Sequence, residues 1–236
     1  RARRGEVFAD RFESLSYQHR MHADISEYPR RMFYAGKSLQ DANTIALRNL
    51  TLRWDFLPNA PRRQWIDVSG REIHGENPDE VEAIEQRLRD FFAWVKQNGA
   101  PERKHPPIWE VACLCFYVKQ ERALSHMLQR LTKDNRKTRF RVQGLPIEVV
   151  CGTVDRFQGR EADLVLLSMR NTRRIGFLDS PNRLNVAVTR ARQQLFIVGN
   201  ARYFERCGVH ELEELAKQTA TFRPIRSVHA ARIPQP

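Results

Sequence analysis

The chain has 236 residues, of which 41% are hydrophobic and 29% are charged. These values are ordinary for a globular protein, and the length allows one large domain or one domain with appended segments. The longest uninterrupted apolar stretch, Val111 to Val118, has eight residues, against the roughly 20 that a membrane-spanning helix needs. We therefore exclude a disordered chain, a disulfide scaffold and a membrane-spanning protein.

The chain is strongly basic, because 40 Lys and Arg against 28 Asp and Glu give a net charge of +12. Arg accounts for 33 of the 40 basic residues, and its planar guanidinium suits phosphate. Polyanions are the expected partners, although a solvated basic surface on an unrelated enzyme would give the same numbers. The four Cys show no metal or disulfide spacing, which predicts a reducing compartment, cytoplasmic or, in a eukaryote, nuclear.

Short apolar runs alternate with segments of helical periodicity between Gln64 and Asn200, a pattern typical of βαβ units and a parallel sheet. The capping residues Asn77 and Glu80 predict the start of the first of these helices, and Gly99 predicts its end. The predicted strands are 65–68, 108–117, 147–154, 164–169 and 195–198, and the predicted helices are 78–98, 119–131 and 182–193. The chain opens at Arg1 with neither Met nor a signal-peptide pattern, so we expect a piece of a longer protein.

One loop stands out by its charge. Residues 133–141 read KDNRKTRFR, with five basic residues and one acidic residue and no apolar face to bury. Such a run is either a solvated surface or a nucleic-acid contact, and the sequence leaves both open. After residue 201 we expect one short amphipathic helix and a polar end.

Two segments resemble nucleotide-site elements only in part. Gly36, Lys37 and Ser38 look like the end of a phosphate-binding loop, but position 31 is Arg instead of Gly and no buried strand precedes it. The pair Asp79-Glu80 resembles a metal-binding acidic pair, but helix capping accounts for it. We therefore predict neither a phosphate loop nor a metal site here, and spacing alone does not make His19 and His22 a metal site.

Two other segments place polar groups where a strand or helix does not need them. Residues 153–161 read TVDRFQGRE, leave a predicted strand, turn at Gly159 and enter another strand. Residues 183–192 read RLNVAVTRAR within the last predicted helix. On that helix Arg183, Ala187 and Arg190 would share one face, so two guanidiniums would lie beside a small residue that leaves room for a ligand.

These segments, with QHRMH at 18–22, resemble motifs V, VI and IV of the superfamily 1 helicases of the Upf type. The family patterns are approximately [ST]VDxFQGRE, RLNVALTRAR and QYRMHP. The resemblance covers about residues 12–205 and implies an α/β fold of the RecA-like, P-loop NTPase type: a mainly parallel sheet flanked by helices, without its own phosphate loop. It implies a leading segment at 1–11, the second RecA-like domain at 12–205 and a tail with a short helix at 206–236.

The resemblance implies the second motor domain of an ATP-dependent helicase or translocase. Its expected partners are single-stranded nucleic acid, with DNA weakly favoured over RNA, and an upstream RecA-like domain of the same protein, and no membrane. ATP and Mg²⁺ would be the cofactors of the full-length enzyme, with the metal ligands upstream of this chain, so this chain alone is expected to be inactive. The alternative is a catalytically inactive nucleic-acid-binding or scaffold module. A motor that only remodels complexes also remains open.

The resemblance also assigns residues. It implies that Arg20 and Arg190 act in catalysis, although each could instead form a surface ion pair. Position 19 is His where the family has Tyr, and position 23 is Ala where it has Pro. The implied ATP-binding residues are Gln18, His19, Arg20, Gly159, Glu161 and Arg190, and the implied nucleic-acid-binding residues are Thr153, Asp155 and Arg170. A structural turn glycine at 159 and a local cap at Thr153 are the alternatives.

Overall fold

The computed structural model describes residues 16–222, except 37, 53, 104–106 and 172, and of residues 49–51 and 177 it describes the backbone only. The predicted segment 1–11 and the chain beyond 222 lie outside the described residues. The described strands are β1 (Tyr17–Gln18), β2 (Gln40–Asp41), β3 (Arg63–Asp67), β4 (Trp109–Cys115), β5 (Arg139–Arg141), β6 (Ile147–Thr153), β7 (Ala162–Ser168), β8 (Ala191–Gly199) and β9 (Ala220–Phe222). The described helices are α1 (Ala23–Phe33), α2 (Asn43–Leu52), α3 (Pro78–Asn98), α4 (Val118–Thr132), α5 (Pro181–Val188), α6 (Ala201–Phe204) and α7 (His210–Gln218).

Seven of the described strands form one sheet in the order β5-β6-β4-β7-β8-β3-β9. All neighbours are parallel except β5, which runs antiparallel to β6 at one edge. The short strands β1 and β2 form a separate parallel pair. This architecture confirms the predicted α/β class, a mainly parallel sheet flanked by helices.

The sheet is buried on both faces, which explains why its strands are continuous apolar runs. In β7 all seven residues are buried, and alternate side chains enter two different core clusters. Val165 and Leu167 face the cluster that includes residues of α1, α5 and α7, whereas Leu164 and Leu166 face the cluster of α3 and α4. Helices therefore cover both faces, as parallel crossover connections require.

The predicted helix 78–98 is confirmed at both ends by its capping residues. The side chain of Asn77 accepts a hydrogen bond from the backbone N–H of Glu80, and Pro78 occupies the first turn, where its missing N–H costs nothing. Gly99 ends the helix with a φ of +77°, a conformation that glycine adopts without steric cost. The predicted helix 119–131 is observed as α4, and the predicted strands differ from the observed ones by up to four residues at their ends.

The prediction of one helix over 182–193 is wrong. Helix α5 ends at Val188, where the hydroxyl of Thr189 donates to the carbonyl of Asn185, and strand β8 already begins at Ala191. Arg183 and Arg190 therefore do not share a helical face. The apolar spacing that indicated a helix continues into β8, where Leu195 is a strand residue paired with Val165.

The predicted boundary at residue 205 also differs from the observed packing. Leu212 and Leu215 of α7 are fully buried in the core, and β9 pairs in parallel with β3. The domain's sheet therefore extends through residue 222. The basic loop at 133–141 contributes as well, because its last three residues form β5.

Candidate functional site

The parallel sheet separates the candidate residues into two groups at opposite edges. Glu161 and Arg190 each lie immediately before a strand, β7 and β8, whose first residues pair with each other. We call this the amino edge of the sheet. Thr153 is the last residue of β6 and lies in register with Ser168, the last residue of β7, through their common neighbour in β4. This is the carboxyl edge.

The segment around Arg20 folds onto the amino edge through its own polar contacts. The side-chain oxygen of Gln18 accepts hydrogen bonds from the backbone N–H groups of Arg20 (2.9 Å) and Met21 (2.8 Å). The N–H of His22 donates to the carbonyl of Arg192 in β8 at 2.8 Å. Gln18 thus shapes the turn that carries Arg20. His19 is exposed, and its Nδ1 lies 3.1 Å from the hydroxyl of Thr44.

Arg20 and Glu161 form an ion pair in which the guanidinium Nε donates to the carboxylate. Arg20 also donates to the carbonyl of Thr189 at 3.0 Å, and about a third of each side chain of the pair is exposed (34% and 36%). Glu161 accepts a second contact from Arg192 at 3.2 Å. Burial raises the pKa of Glu161, but Arg20 and Arg192 outweigh it and lower the pKa. The carboxylate is therefore ionised and shared between two guanidiniums.

Arg192 connects Glu161 to a buried carboxylate. It donates to Asp163, which is fully buried, at 3.0 Å and also to Glu110. Arg103 donates to both oxygens of Asp163, at 3.0 and 2.9 Å, and the N–H of Glu110 donates at 2.9 Å. Burial opposes the charge of Arg192, but its acidic neighbours raise the pKa of Arg192 overall. At the amino edge, the positive charges of Arg103 and Arg192 are thus compensated by the carboxylates around them.

Arg190 lies in the turn between α5 and β8 and is 8% exposed. Its guanidinium donates to two backbone carbonyls, those of Val186 (2.9 Å) and Arg160 (3.1 Å). Burial and then the nearby positive charge of Arg20 lower the pKa of Arg190, although an Arg remains charged. The structure therefore brings Arg20, Glu161 and Arg190 together at one edge.

Gly159 has a φ of +80°, and a Cβ added there would meet no atom within 4 Å. Glycine is needed at this position for the backbone conformation of the turn. A role in the turn accounts for this conformation, and the implied ATP contact of Gly159 stays a prediction.

The carboxyl edge carries the candidate nucleic-acid residues with different degrees of exposure. Thr153 is 7% exposed, whereas Asp155 is exposed and lies 3.4 Å from Arg183. The side chain of Arg170 is 14% exposed, and its guanidinium lies over the ring of Tyr117 at 3.4 Å. It also donates to the carbonyl of Gly75 at 3.2 Å. Arg170 is thus held against the protein surface, unlike the exposed Arg173 and Arg174 beyond it.

Sequence reasoning missed a buried carboxyl group under Arg170. Glu80 is fully buried and accepts hydrogen bonds from the hydroxyl of Ser168 (2.6 Å), the N–H of Arg170 (2.9 Å) and the amide of Asn77 (3.0 Å). Burial outweighs these donors and raises the pKa of Glu80 to about 7. The sequence suggested that helix capping accounts for Glu80, but the contacts with Ser168 and Arg170 show that capping is only part of its role. The sequence signal for this site was the acidic pair at 79–80, and Ser168 in β7, the partner of Glu80, is 88 residues away.

Neither a metal cluster nor a phosphate loop is present in the part of the chain that the structure describes. No group of three His, Cys, Asp or Glu side chains there is arranged to hold a metal ion. Gly36 and Ser38 follow helix α1 and no strand leads into them, while Lys37 lies outside the described residues.

Comparison with known families places the chain. A family model described as an AAA domain matches residues 4–202, against the predicted domain at 12–205. The chain belongs to this family. The relatives below confirm the resemblance to the C-terminal domain of Upf-type superfamily 1 helicases.

Three curated relatives of this AAA domain are helicases or regulators by name. The Neurospora crassa "Regulator of nonsense transcripts 1 homolog" is 33% identical over 80% of this chain and 16% of its own length. The Saccharomyces cerevisiae "DNA polymerase alpha-associated DNA helicase A" is 32% identical over 84% of this chain and 29% of its own length. "ATP-dependent helicase NAM7" of the same yeast is 32% identical over 81% of this chain and 19% of its own length. The chain thus spans less than a third of each of these relatives.

No helix in the described part of this AAA domain is both long and apolar enough to cross a membrane.

The buried Glu80 predicts a pH-dependent stability. Its pKa of about 7 in the folded protein lies above its ordinary value of 4.5, so the folded state retains a proton that the unfolded chain releases. The free energy of unfolding should therefore fall as the pH rises from about 5 to 7, by at most about 3 kcal/mol. Glu80→Gln should flatten this dependence in urea unfolding at several pH values. Glu82→Gln, on the exposed face of the same helix, should leave the slope unchanged, and an unchanged slope in Glu80→Gln would contradict the assignment.

The hydrogen bonds that link Glu161 through Arg192 to the buried Asp163 predict a large loss of stability when Asp163 is removed. Asp163→Ala leaves Arg103 and Arg192 without their shared carboxylate, which should cost about 3–5 kcal/mol in urea unfolding. Glu85→Ala, which breaks an exposed i,i+4 pair with Arg89, should cost about 0.5 kcal/mol or less. Similar losses in the two variants would show that the network does not stabilise the edge.

Proposed function

We propose that this chain is the second motor domain of an ATP-dependent nucleic-acid helicase or translocase. In this proposal Arg20 and Arg190 act in trans on ATP bound against an upstream RecA-like domain. The observation that supports it is the meeting of Arg20, Glu161 and Arg190, from three separate motifs, at the amino edge of β7 and β8. Residues from distant parts of the chain converge there on a small, positively charged, partly exposed surface.

The chemistry of these side chains suits a triphosphate. Phosphoryl transfer spreads negative charge over the transferred group, and a correctly placed guanidinium stabilises that charge in the transition state. Mg²⁺, when bound with ATP, neutralises further phosphate charge, and we expect its ligands and the phosphate loop upstream of this chain. The isolated chain should therefore hydrolyse no ATP.

Nucleotide binding would require Arg20 to exchange partners. Arg20 now donates to Glu161, and a phosphate oxygen would compete for the same Nε–H. Glu161 would not be left unpaired, because Arg192 also contacts it at 3.2 Å and is itself anchored on Asp163. In the proposal the released oxygen of Glu161 faces the sugar of the nucleotide, and Gln18 and His19 flank the base.

The carboxyl edge is the proposed contact for single-stranded nucleic acid, through Thr153, Asp155 and Arg170. Phosphate contacts of this kind position a strand without reading its sequence. The names of the relatives include both a DNA helicase and a regulator of transcripts, so the weak preference for DNA rests on no contact of this chain. Competition between matched DNA and RNA strands for the full-length protein decides it.

Replacing Arg190 tests the nucleotide site. In the full-length protein, Arg190→Ala should lower kcat for ATP by about 10³-fold or more, since the guanidinium acts on transition-state charge, while ATP and strand binding persist. Arg202→Ala, at an exposed position in α6, is the matched control and should keep the wild-type rate. Unfolding curves must show that Arg190→Ala remains folded. A folded Arg190→Ala protein with normal turnover would remove Arg190 from the site.

Replacing Thr153 tests the strand site separately. A single neutral hydrogen bond is worth about 1 kcal/mol, so Thr153→Ala should weaken single-strand binding about fivefold and retain ATP binding. Fluorescence anisotropy with a labelled strand measures single-strand binding, and nucleotide titration measures ATP binding. Thr221→Ala, in the exposed strand β9, should change neither. A loss of ATP binding in Thr153→Ala would contradict the separation of the two sites.

A further inference from the structure

Half of the chain's net charge is concentrated in one short region. Residues 118–142 contain eight Lys and Arg and two acidic residues, a net +6 against +12 for all 236 residues. The region comprises α4, the turn after it and β5. It belongs to neither the amino-edge cluster nor the residues assigned to the carboxyl edge.

Helix α4 directs its basic residues outward along one line. Lys119, Arg122, His126, Arg130 and Lys133 are exposed and recur every three or four residues, which places them on one face. The 14 steps from Lys119 to Lys133 span about 21 Å at 1.5 Å per residue. The opposite face of α4, with Leu124, Met127 and Leu128, is fully buried in the core.

Strand β5 and the preceding turn extend this surface. Phe140 is buried, whereas Arg139 and Arg141 on either side of it are exposed, as strand alternation requires. Arg136 and Lys137 are exposed in the turn. We name the whole surface the basic face; it consists of Lys119, Arg122, Arg130, Lys133, Arg136, Lys137, Arg139 and Arg141.

The acidic residues around the basic face only partly offset its charge. Asp134 pairs with Arg136 at 2.6 Å, and Glu148 pairs with Arg139 at 3.2 Å. Glu85 lies 4.0 Å from Arg130 but 2.6 Å from Arg89 of its own helix.

A fourth acid, Glu121, is buried and pairs at 2.9 Å with Arg156, outside the basic face. Among the described residues, Arg122, Lys133, Lys137 and Arg141 form no ion pair with an acidic side chain. The excess of positive charge is therefore available to a partner.

The chemistry of the surface favours a phosphate backbone. Its exposed groups are Lys and Arg over about 21 Å, and a nucleic-acid strand offers a charge every 3.4 Å or so along its axis. A helix that lies in a membrane surface exposes a broad apolar face beside its bases. In α4, Leu124, Met127 and Leu128 are buried in the protein, and Val118 at the first position is exposed. The pair between Glu121 and Arg156, three residues after Thr153, connects this face to the carboxyl edge.

We propose that the basic face binds a second stretch of nucleic acid, independent of sequence and outside the contact at the carboxyl edge. The position of this stretch relative to the motor rests on the proposed function, whereas the binding itself requires no ATP. Counterion release from the neutralised phosphates drives the contact, so its strength falls steeply with salt.

The test uses the full-length protein with Arg122→Gln, Arg130→Gln and Lys137→Gln combined. The control combines Lys96→Gln, Arg202→Gln and Lys217→Gln, three exposed bases elsewhere, and loses the same charge. Anisotropy titrations compare oligothymidines of about 8 nucleotides, which fill one site, with ones of about 30 nucleotides.

We expect the long strand to bind the variant about tenfold or more weakly at about 0.15 M salt, with a log–log salt slope smaller by about 2. The short strand should bind both proteins equally, which also shows that the variant is folded. Equal affinity of variant and control for the long strand would overturn the proposal. An equal loss for both lengths would also overturn it, because these residues would then belong to the first site.

If the variant loses affinity only for vesicles containing phosphatidylserine, or only for an acidic peptide, that partner and not nucleic acid binds the basic face, and the proposal is overturned. The proposed motor function fails on a different result. Suppose that folded Arg190→Ala hydrolyses ATP normally while the basic-face variant still loses affinity for the long strand. The second nucleic-acid contact would then be supported, and the trans-acting role of Arg190 would be wrong.

Discussion

The parallel pairing of β7 with β8 is the constraint on which the amino edge depends. The two strands begin side by side, and the N–H of Ala162 donates to the carbonyl of Arg190 at 3.0 Å. The residues that precede them, Glu161 and Arg190, therefore reach the same edge although 29 positions separate them. Arg20 lies at the same edge because the backbone N–H of His22 donates a hydrogen bond to the carbonyl of Arg192. One backbone register thus brings residues of three motifs to the same edge.

Two arginines of the same short motif have opposite surroundings. Among the described residues, the guanidinium of Arg190 donates to two backbone carbonyls and to no carboxylate, and Arg20 repels it while Glu161 attracts it. Arg192, two positions later, is surrounded by Glu110, Glu161 and Asp163. A charge in a poorly solvated position is costly unless it is compensated, and the three carboxylates around Arg192 supply that compensation at the edge where Arg190 lies. The sequence resemblance assigned a role to Arg190 and none to Arg192, and it did not indicate the carboxylates around Arg192.

Local sequence predicted the elements whose ends carry strong chemical signals. Helix α3 was predicted at its observed ends because Asn77, Pro78 and Gly99 act on their own neighbours. The end of α5 was missed because Leu184, Val188, Ala191 and Leu195 keep a helical spacing across a turn into a strand. Only the pairing of β8 with β7 and β3, which is not local, decides between the two structures. The three helicase motifs were recognised in the sequence, and they predicted the fold class and the family correctly.

The buried carboxyl groups of Glu80 and Asp163 also escaped prediction, because their partners are not local. Glu80 contacts Ser168, and Asp163 contacts Arg103, across 88 and 60 positions. Within its own segment, Glu80 looks like a capping residue and Asp163 like a single polar residue in an apolar strand. What makes each buried carboxyl group tolerable is a partner that the fold supplies, and no periodicity encodes it.

The two outer strands of the described sheet, β5 and β9, are the ones that could pair with another chain. An uncovered strand edge offers unpaired N–H and C=O groups to any other chain. Here β5 and β9 have three residues each, and β5 carries an exposed arginine on either side of Phe140. A second copy approaching β5 would bring its own arginines into close opposition. Like-charge repulsion along β5 therefore opposes the addition of a second copy's β5 there.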